Sequence, residues 1–249
     1  VAGNLYCQTG SGNNKACDTS QAIPSPLSYP FSDANIDEWE SNVVTTQTRN
    51  SSWTLSSNTA TTSAALRING NLDISGDAQL TITGPLYVSG NITMSGGGRL
   101  IVGGPVYIGG NFNVSGTSDG NVFSASSLGN TANTFVVNGT VTFGSSNPIV
   151  SNGQTGNYSV VVSKSVCGGV GPCSGSAISV SGNAGAIVLL APDGRVIFSG
   201  SGQAKAVVAY KIELSGGTSV TYNSGLSDID FSSGPSGAWN VESWKEVAQ

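Results

Sequence analysis

The sequence contains 249 residues, of which 38% are hydrophobic and only 9% are charged, with a formal net charge of −5 at pH 7 and no histidine. The absence of histidine excludes Ser-His-Asp and Cys-His nucleophilic sites, and the acidic balance argues against nucleic acid as a partner. Glycine, serine, threonine and asparagine fill the polar positions, which is unlike the highly charged composition of disordered chains. We therefore expect a single folded domain with terminal caps.

Residues 1–48 are predicted to form an N-terminal segment that ends in a capping helix. The stretch 32–44 begins with capping and acidic residues, as the first turn of a helix does. Its apolar face consists of Ile36, Trp39 and Val43. We expect this helix to cover an open end of the repeat that follows, and packing against the flank of the repeat is the alternative.

A repeat with a period of 20 residues begins at Leu66. The sequence Leu-Arg-Ile-Asn-Gly-Asn-Leu-Asp-Ile-Ser-Gly at 66–76 returns as Leu-Tyr-Val-Ser-Gly-Asn-Ile-Thr-Met-Ser-Gly at 86–96 and as Val-Tyr-Ile-Gly-Gly-Asn-Phe-Asn-Val-Ser-Gly at 106–116. Apolar and polar residues alternate within each copy, which predicts short strands and excludes an amphipathic helix. A fixed period of this length predicts units that bury their apolar side by stacking on one another.

The stacked copies are expected to align their apolar residues in buried columns. These columns are Ile68 with Val88 and Ile108, Leu72 with Ile92 and Phe112, and Leu80 with Leu100. The sequence thus predicts an all-β fold, a parallel β-helix (β-solenoid) over residues 49–230, with about 20 residues per coil. Looser copies of the motif extend the prediction to seven or eight coils, and the crossover rule favours a right-handed coil.

Irregular spacing between the later copies predicts two loops, near 117–133 and near 151–176. At the other terminus, residues 231–249 are predicted to form a second capping helix, because Val241 and Trp244 follow Asn240, a residue type that caps helix N-termini. Like the first helix, it is expected to cover an end of the stack, with packing on the flank as the alternative.

Four cysteines occur as two close pairs. Bonds Cys7–Cys17 and Cys167–Cys173 are the simplest of three connectivities, and free thiols or a Cys₄ zinc site are the alternatives. Disulfides would indicate an oxidising compartment outside the cytoplasm. No signal peptide or membrane-length apolar run occurs in the sequence, so we expect a leader or anchor to have preceded Val1.

Outward positions of the repeat carry little catalytic chemistry. One aligned column contains Asp73, Thr93 and Asn113, so carboxylates do not recur from copy to copy as polysaccharide lyases and hydrolases require. The acidic pairs Asp228 with Asp230 and Asp73 with Asp77 are too few oxygen ligands to predict a calcium site. The sequence therefore predicts no active site, no metal and no cofactor.

A second outward column is formed by Arg67, Tyr87 and Tyr107. It has two interpretations, an aromatic ladder with a cation at one end or a strip on which sugars stack. We favour the ladder and treat these three residues as the possible ligand or contact site.

Both termini resemble those of a bacterial protein group. The resemblance lies in residues 3–18, in Ser-Asp-Ala-Asn-Ile-Asp-Glu-Trp from Ser32, and in 231–246, Phe-Ser-Ser-Gly-Pro-Ser-Gly-Ala-Trp-Asn-Val-Glu-Ser-Trp-Lys-Glu. These segments are similar to those of Gly-rich extracytoplasmic β-solenoid proteins of candidate-phylum bacteria, which resemble PilX-type type IV pilus accessory proteins. The resemblance implies a secreted, non-catalytic module and carries over no catalytic residues. The hydrophobic N-terminal helix of that group has no counterpart in this sequence.

Three functions are consistent with these features. The leading hypothesis is a non-catalytic structural or adhesion module, extracellular or on the cell surface, whose partners are pilus proteins, other surface proteins or glycans. A β-helix that binds or cleaves carbohydrate is the second hypothesis, and a self-assembling filament subunit is the third. Nucleic acid is not an expected partner, a membrane would be reached only through an N-terminal anchor, and the oligomeric state does not follow from the sequence.

Overall fold

The computed structural model describes residues 5–6, 17–18, 33–41, 43–57, 59–62, 64–116, 121–129, 131–144, 148–154, 157–166, 175–183 and 187–220. The chain divides into two compact units, Val1–Pro30 and Phe31–Gln249. In the first unit, strand β1 (Leu5–Tyr6) pairs in parallel with β2 (Cys17–Asp18).

The second unit is mostly β-structure. It begins with helix α1 (Asp33–Ser41), and a short 3₁₀ helix occupies Ser126–Leu128. Its strands, in chain order, are β3 (Gln47–Arg49), β4 (Trp53–Leu55), β5 (Thr59–Thr62), β6 (Leu66–Ile68), β7 (Leu72–Ile74), β8 (Gln79–Ile82), β9 (Leu86–Val88), β10 (Ile92–Gly96), β11 (Arg99–Val102), β12 (Val106–Ile108), β13 (Phe112–Gly116), β14 (Val122–Ser124), β15 (Asn133–Val137), β16 (Val141–Phe143), β17 (Ile149–Val150), β18 (Ser159–Ser163), β19 (Ile178–Val180), β20 (Ile187–Phe198), β21 (Gln203–Ala204), β22 (Ala206–Leu214) and β23 (Ser219–Val220).

The strands pair in parallel to form three ladders, and we call each step along a ladder a level. The first ladder runs β3-β6-β9-β12-β15-β18-β20, the second runs β4-β7-β10-β13-β16-β19-β20, and the third runs β5-β8-β11-β14-β17. The first two ladders belong to one 14-stranded sheet because the long strand β20 is a member of both. Strand β22 adds a last level to that sheet, and β21 pairs with β23. The predicted all-β fold with parallel strands is confirmed.

The register of the ladders follows the 20-residue period. Val88 pairs with Ile68 and with Ile108, Ile92 pairs with Leu72 and with Phe112, and Leu100 pairs with Leu80. These are the columns predicted from the sequence, and they are confirmed. All eight side chains are fully buried.

A single apolar core receives alternate residues from all three ladders. Its largest members include four phenylalanines, and Phe112 stacks on Phe135 with ring centroids 5.9 Å apart and meets Phe143 edge to face at 5.7 Å. Each fully buried side chain of this size contributes about 1.5–3 kcal/mol. The core therefore depends on the strict alternation of side chains along each short strand.

Asparagine side chains connect successive levels at the corner between the first and second ladders. The Oδ1 atom of Asn71 accepts a hydrogen bond from the backbone N–H of Asn91 at 2.9 Å, and Asn91 does the same for Asn111 at 2.8 Å. A Cβ atom at Gly90 or Gly110 would collide with these amide oxygens. The recurring Gly-Asn pair of the repeat is thus a corner in which the glycine leaves room for the asparagine of the previous level.

The two ranges predicted to be loops each contain a strand. Residues 117–133 include β14, which pairs with β11 in the third ladder, and residues 151–176 include β18, which pairs with β15 and β20 in the first. The sequence motif missed both strands because the residues around them depart from the 20-residue spacing. The insertions are consequently shorter than expected.

Helix α1 packs on the outer face of the first ladder, which is the flank position that the sequence left as the alternative to an end cap. The outward side chains of the later strands in this ladder are apolar, and they form a cluster separate from the main core. Its members are Ile36, Trp39, Val43, Tyr107, Ala132, Val136, Val160, Val162, Val188 and Leu190. The helix is placed there because it covers outward valines and leucine that would otherwise face water.

Several predictions fall outside the described residues. They concern the bonds Cys7–Cys17 and Cys167–Cys173, the helix expected within 231–249, and the acidic pair Asp228 and Asp230. Of the part of the chain that is described, no helix has the length and hydropathy needed to cross a membrane.

Candidate functional site

The predicted contact column is formed by consecutive levels of the first ladder. Arg67 pairs with Tyr87, and Tyr87 pairs with Tyr107. The Arg67 guanidinium lies 3.9 Å from the centroid of the Tyr87 ring, and the rings of Tyr87 and Tyr107 stack with centroids 4.7 Å apart. The structure thus brings together all three residues that the sequence singled out.

The two faces of the Tyr87 ring are both occupied. Arg67 covers one face and Tyr107 covers the other, while the Arg67 Nε atom donates a hydrogen bond to Asn69 Oδ1 at 2.8 Å. A sugar that stacks on an aromatic ring needs a free face, and this ring offers only its edge. The geometry therefore favours the aromatic ladder over the sugar-stacking strip.

Tyr107 lies under helix α1 and is only 7% exposed. Burial raises the pKa of its hydroxyl to about 12, and the adjacent Glu40 carboxylate adds to the increase because it disfavours a second negative charge. The column thus ends beneath the helix, where Tyr107 acts as a packing residue.

Lys164 connects the helix to the first ladder by ion pairs that the sequence analysis did not find. Its amine lies 2.8 Å from Asp37 Oδ1 and 3.3 Å from Glu40 Oε2. The hydrogen bond to Asp37 raises the pKa of the Lys164 amine above its ordinary value, against the opposing effect of burial. Glu40 thus faces both Lys164 and Tyr107, so one carboxylate serves both contacts.

A shallow cleft lies on each side of the helix. One is lined by Ile36, Asp37, Ser163, Lys164, Pro192 and Asp193. The other places carboxylates of the helix opposite the cation and ring of the contact column, and its lining consists of Asp37, Glu40, Ser41, Val43, Arg67 and Tyr87. Carboxylates beside a guanidinium provide hydrogen-bond acceptors and donors for a polar ligand.

The second ladder presents a face of small polar side chains. At its centre, consecutive levels carry one outward residue each, and we call this set the polar face: Thr54, Asp73, Thr93, Asn113, Thr142 and Ser179. None of these side chains makes a hydrogen bond to another described residue, and all are at least partly exposed. Neighbouring levels of a parallel sheet are about 4.8 Å apart, so the face is a regular row of donors and acceptors.

The polar face contains one carboxylate, Asp73, and no basic residue. Asp73 pairs with Thr54 on one side and with Thr93 on the other, so it has no second carboxylate beside it in the ladder. General acid–base hydrolysis of a sugar needs two carboxyl groups on either side of the bond. Within the described ranges, no group of three potential metal ligands is found either.

A few buried polar side chains were also missed by the sequence analysis. Asn121 is fully buried and donates from Nδ2 to the carbonyls of Gly98 at 2.8 Å and Gly96 at 3.2 Å. Asn133 is buried as well, but its amide has no hydrogen-bond partner among the described residues. Both residues lie beside the irregular spacings, where the repeat gives no guide to which positions face inward.

Comparison with known proteins found no match. No protein-family model, no curated protein and no solved structure matches it. Any function must therefore be argued from the ladders, the contact column and the polar face.

Proposed function

We propose that the chain is a non-catalytic β-solenoid module that is displayed outside the cell, associated with a type IV pilus or with the cell surface. The observation that carries this proposal is the polar face, in which hydroxyl and amide groups recur at successive levels while carboxylates and cations do not. Such a surface binds through hydrogen bonds and shape and lacks the paired acid and base that turnover requires.

The solenoid is proposed from the order in which the chain visits the ladders. Residues 66–82 contribute β6, β7 and β8 to the first, second and third ladder, and residues 86–102 contribute β9, β10 and β11 in the same order. A chain that returns to the same three ladders every 20 residues describes a coil around the common core. Right-handed winding is the form that parallel crossovers adopt.

The extracellular location rests on the cysteines. The close cysteine pairs would be oxidised outside the cytoplasm. Peptide mapping of the non-reduced protein tests this point. We expect the pairs Cys7–Cys17 and Cys167–Cys173, whereas crossed pairs or four free thiols would remove the argument for an oxidising compartment.

Pilus association follows from the resemblance of the two termini to the PilX-like group. It is tested by co-purification of the full-length protein with pili from its native cells, with cells that lack pili as the control. We expect recovery with the pilus fraction only when pili are present. Equal recovery from cells without pili would overturn the pilus assignment, and display on the cell surface would then be the remaining form of the proposal.

Carbohydrate binding is a second candidate, and the free donors and acceptors of the polar face favour it. A glycan array with the wild-type protein tests it, together with Thr93→Val and Thr142→Val on the polar face. Thr81→Val on the third ladder is the matched control, because Thr81 is also an outward threonine in a strand. Loss of a glycan signal in the first two variants alone would support binding at this face, and hydrolysis of the glycan would overturn the non-catalytic assignment.

A further inference from the structure

The last level of the stack leaves core positions open. Ile212 and Leu214 of β22 pair with the buried Val196 and Phe198 of β20, so their side chains continue the inward columns of the second ladder. They are nevertheless 45% and 53% exposed, and Val220 of β23, which pairs with the buried Ala204, is 42% exposed. We call these three side chains the open end.

The backbone of the open end is also incomplete. Within the described residues, β22 pairs with β20 on one side only, and β23 pairs only with β21. A parallel strand with a free edge presents a row of N–H and C=O groups that another segment can pair with. Both the apolar side chains and the strand edge thus require a cover.

The first level differs in the first ladder, where polar groups occupy its inward positions. Gln47 and Arg49 align with Leu66 and Ile68 of the next level. Arg49 lies over the Trp53 ring at 4.9 Å, and the Thr62 hydroxyl donates a hydrogen bond to Gln47 Oε1 at 3.1 Å. In the second ladder the inward residues of this level are Trp53, which is partly buried against the core, and Leu55, which is buried. Among the inward positions of the described strands, the exposed large apolar side chains therefore lie at the last level.

The chain supplies an occupant at the place where it is needed. Residues 221–249 continue directly from Val220, which is itself part of the open end. This stretch contains two of the four tryptophans of the chain, Trp239 and Trp244. Its other large apolar residues are Tyr222, Leu226, Ile229, Phe231, Val241 and Val247.

We propose that residues 221–249 cover the open end, bury Ile212, Leu214 and Val220, and thereby prevent two copies of the chain from associating through their last levels. A segment tethered at Val220 has an effective concentration in the millimolar range, which a second copy does not reach at ordinary protein concentrations. Two last levels that meet would bury apolar side chains on both sides, whereas a last level that meets a first level would face the polar side chains of Gln47 and Arg49 in the first ladder. The uncovered end therefore favours pairs of molecules. This inference does not depend on the proposed location or ligand.

Hydroxyl-radical footprinting of the full-length protein tests the proposal. For each side chain, oxidation in the native protein is compared with oxidation of the same residue in urea. We expect Ile212, Leu214 and Val220 to be protected at least about fivefold, as buried residues are, in a protein that sedimentation shows to be a monomer. Val44, which is 67% exposed, is the control and should show little protection.

A variant of the full chain identifies the segment responsible. Replacing both Trp239 and Trp244 with Asp should remove the protection and produce a concentration-dependent dimer, whereas Ser243→Asp in the same segment should do neither. Oxidation of the wild-type open end at the level of Val44 would overturn the proposal. Protection that disappears when the protein is diluted to monomer would also overturn the proposal, because it would assign the cover to a second copy. Protection that is unchanged in the double variant would overturn it as well.

Discussion

The amine of Lys164 lies 2.8 Å from the Asp37 carboxylate, although the two residues are 127 positions apart in the chain. A second contact joins the same amine to Glu40 at 3.3 Å. The pair fixes helix α1 on the first ladder at a point where outward apolar residues already attract it. Burial provides the attraction, and the charges select the position along the ladder.

Lys164→Met is expected to weaken this attachment. Asp37 is largely exposed and Lys164 is partly so, hence solvent screening limits the loss to about 0.5–1 kcal/mol. Urea unfolding measures it. Lys211→Met is the control, because Lys211 is 3.9 Å from Glu213 in an exposed pair and should change stability little. An equal loss in both variants would contradict a specific role for Lys164.

Stability is expected to fall between pH 10 and pH 12. The pKa of Tyr107 rises from 10.0 to about 12 on folding, so the unfolded chain releases this proton first and is favoured as the pH increases through that interval. Lys164 acts in the same direction, because its pKa is also raised on folding. Its contribution to the stability of the folded state is present below the ordinary pKa of 10.5 and is lost as the pH rises above that value.

Urea unfolding at several pH values measures this effect, and Tyr107→Phe separates the two groups. The variant keeps the ring that stacks on Tyr87 but has no hydroxyl to titrate. Its stability should therefore fall less than that of the wild type between pH 10 and pH 12. Parallel curves for the two proteins would show that Tyr107 is not responsible.

Val88→Asp is expected to be severely destabilising. The Val88 side chain has no exposure and lies between Ile68 and Ile108, so a carboxylate there would be buried without a partner. The cost of an uncompensated buried charge is about 3–5 kcal/mol. Ser89→Asp, at the adjacent exposed position, introduces the same charge and should change stability by less than about 0.5 kcal/mol. Similar thermal unfolding of the two variants would refute the inward column.

The two buried asparagines should respond in opposite ways to replacement by leucine. Asn121→Leu removes the donor to the carbonyl groups of Gly98, which is buried, and Gly96, and should destabilise the protein by about 1–3 kcal/mol. Asn133→Leu removes an amide that has no partner among the described residues, and it should be neutral or stabilising. Urea unfolding of both variants is the measurement, and equal losses would imply that the Asn133 amide is satisfied in solution.

The sequence predicted the ladders where the repeat is regular, because a constant period places the same residue type at the same position of every repeat. Ile68, Val88 and Ile108 could be aligned without a structure for that reason. Strands β14 and β18 could not be aligned in this way, since insertions in the sequence next to them change the 20-residue spacing. The continuous apolar run of β18, Ser-Val-Val-Val-Ser, does indicate a strand that is covered on both faces, and it is the signal that could have located the helix.

Contacts of the candidate site were predictable only in part. The stack of Arg67, Tyr87 and Tyr107 followed from the period. The burial of Tyr107 did not, because it depends on a helix and on a lysine that are distant in sequence from the column and from each other. The pattern of a single strand contains no information about which segment covers its outer face.

The corner asparagines make the number of levels in the ladders adjustable in whole repeats. Each amide oxygen contacts only the level directly after its own, so Asn71 serves Asn91 in the same way that Asn91 serves Asn111. Removing residues 86–105 would join Asn71 to Asn111 and Leu72 to Phe112 with every bond of the corner retained. Gene duplication or deletion of one repeat would therefore change the height of the ladders in steps of about 4.8 Å.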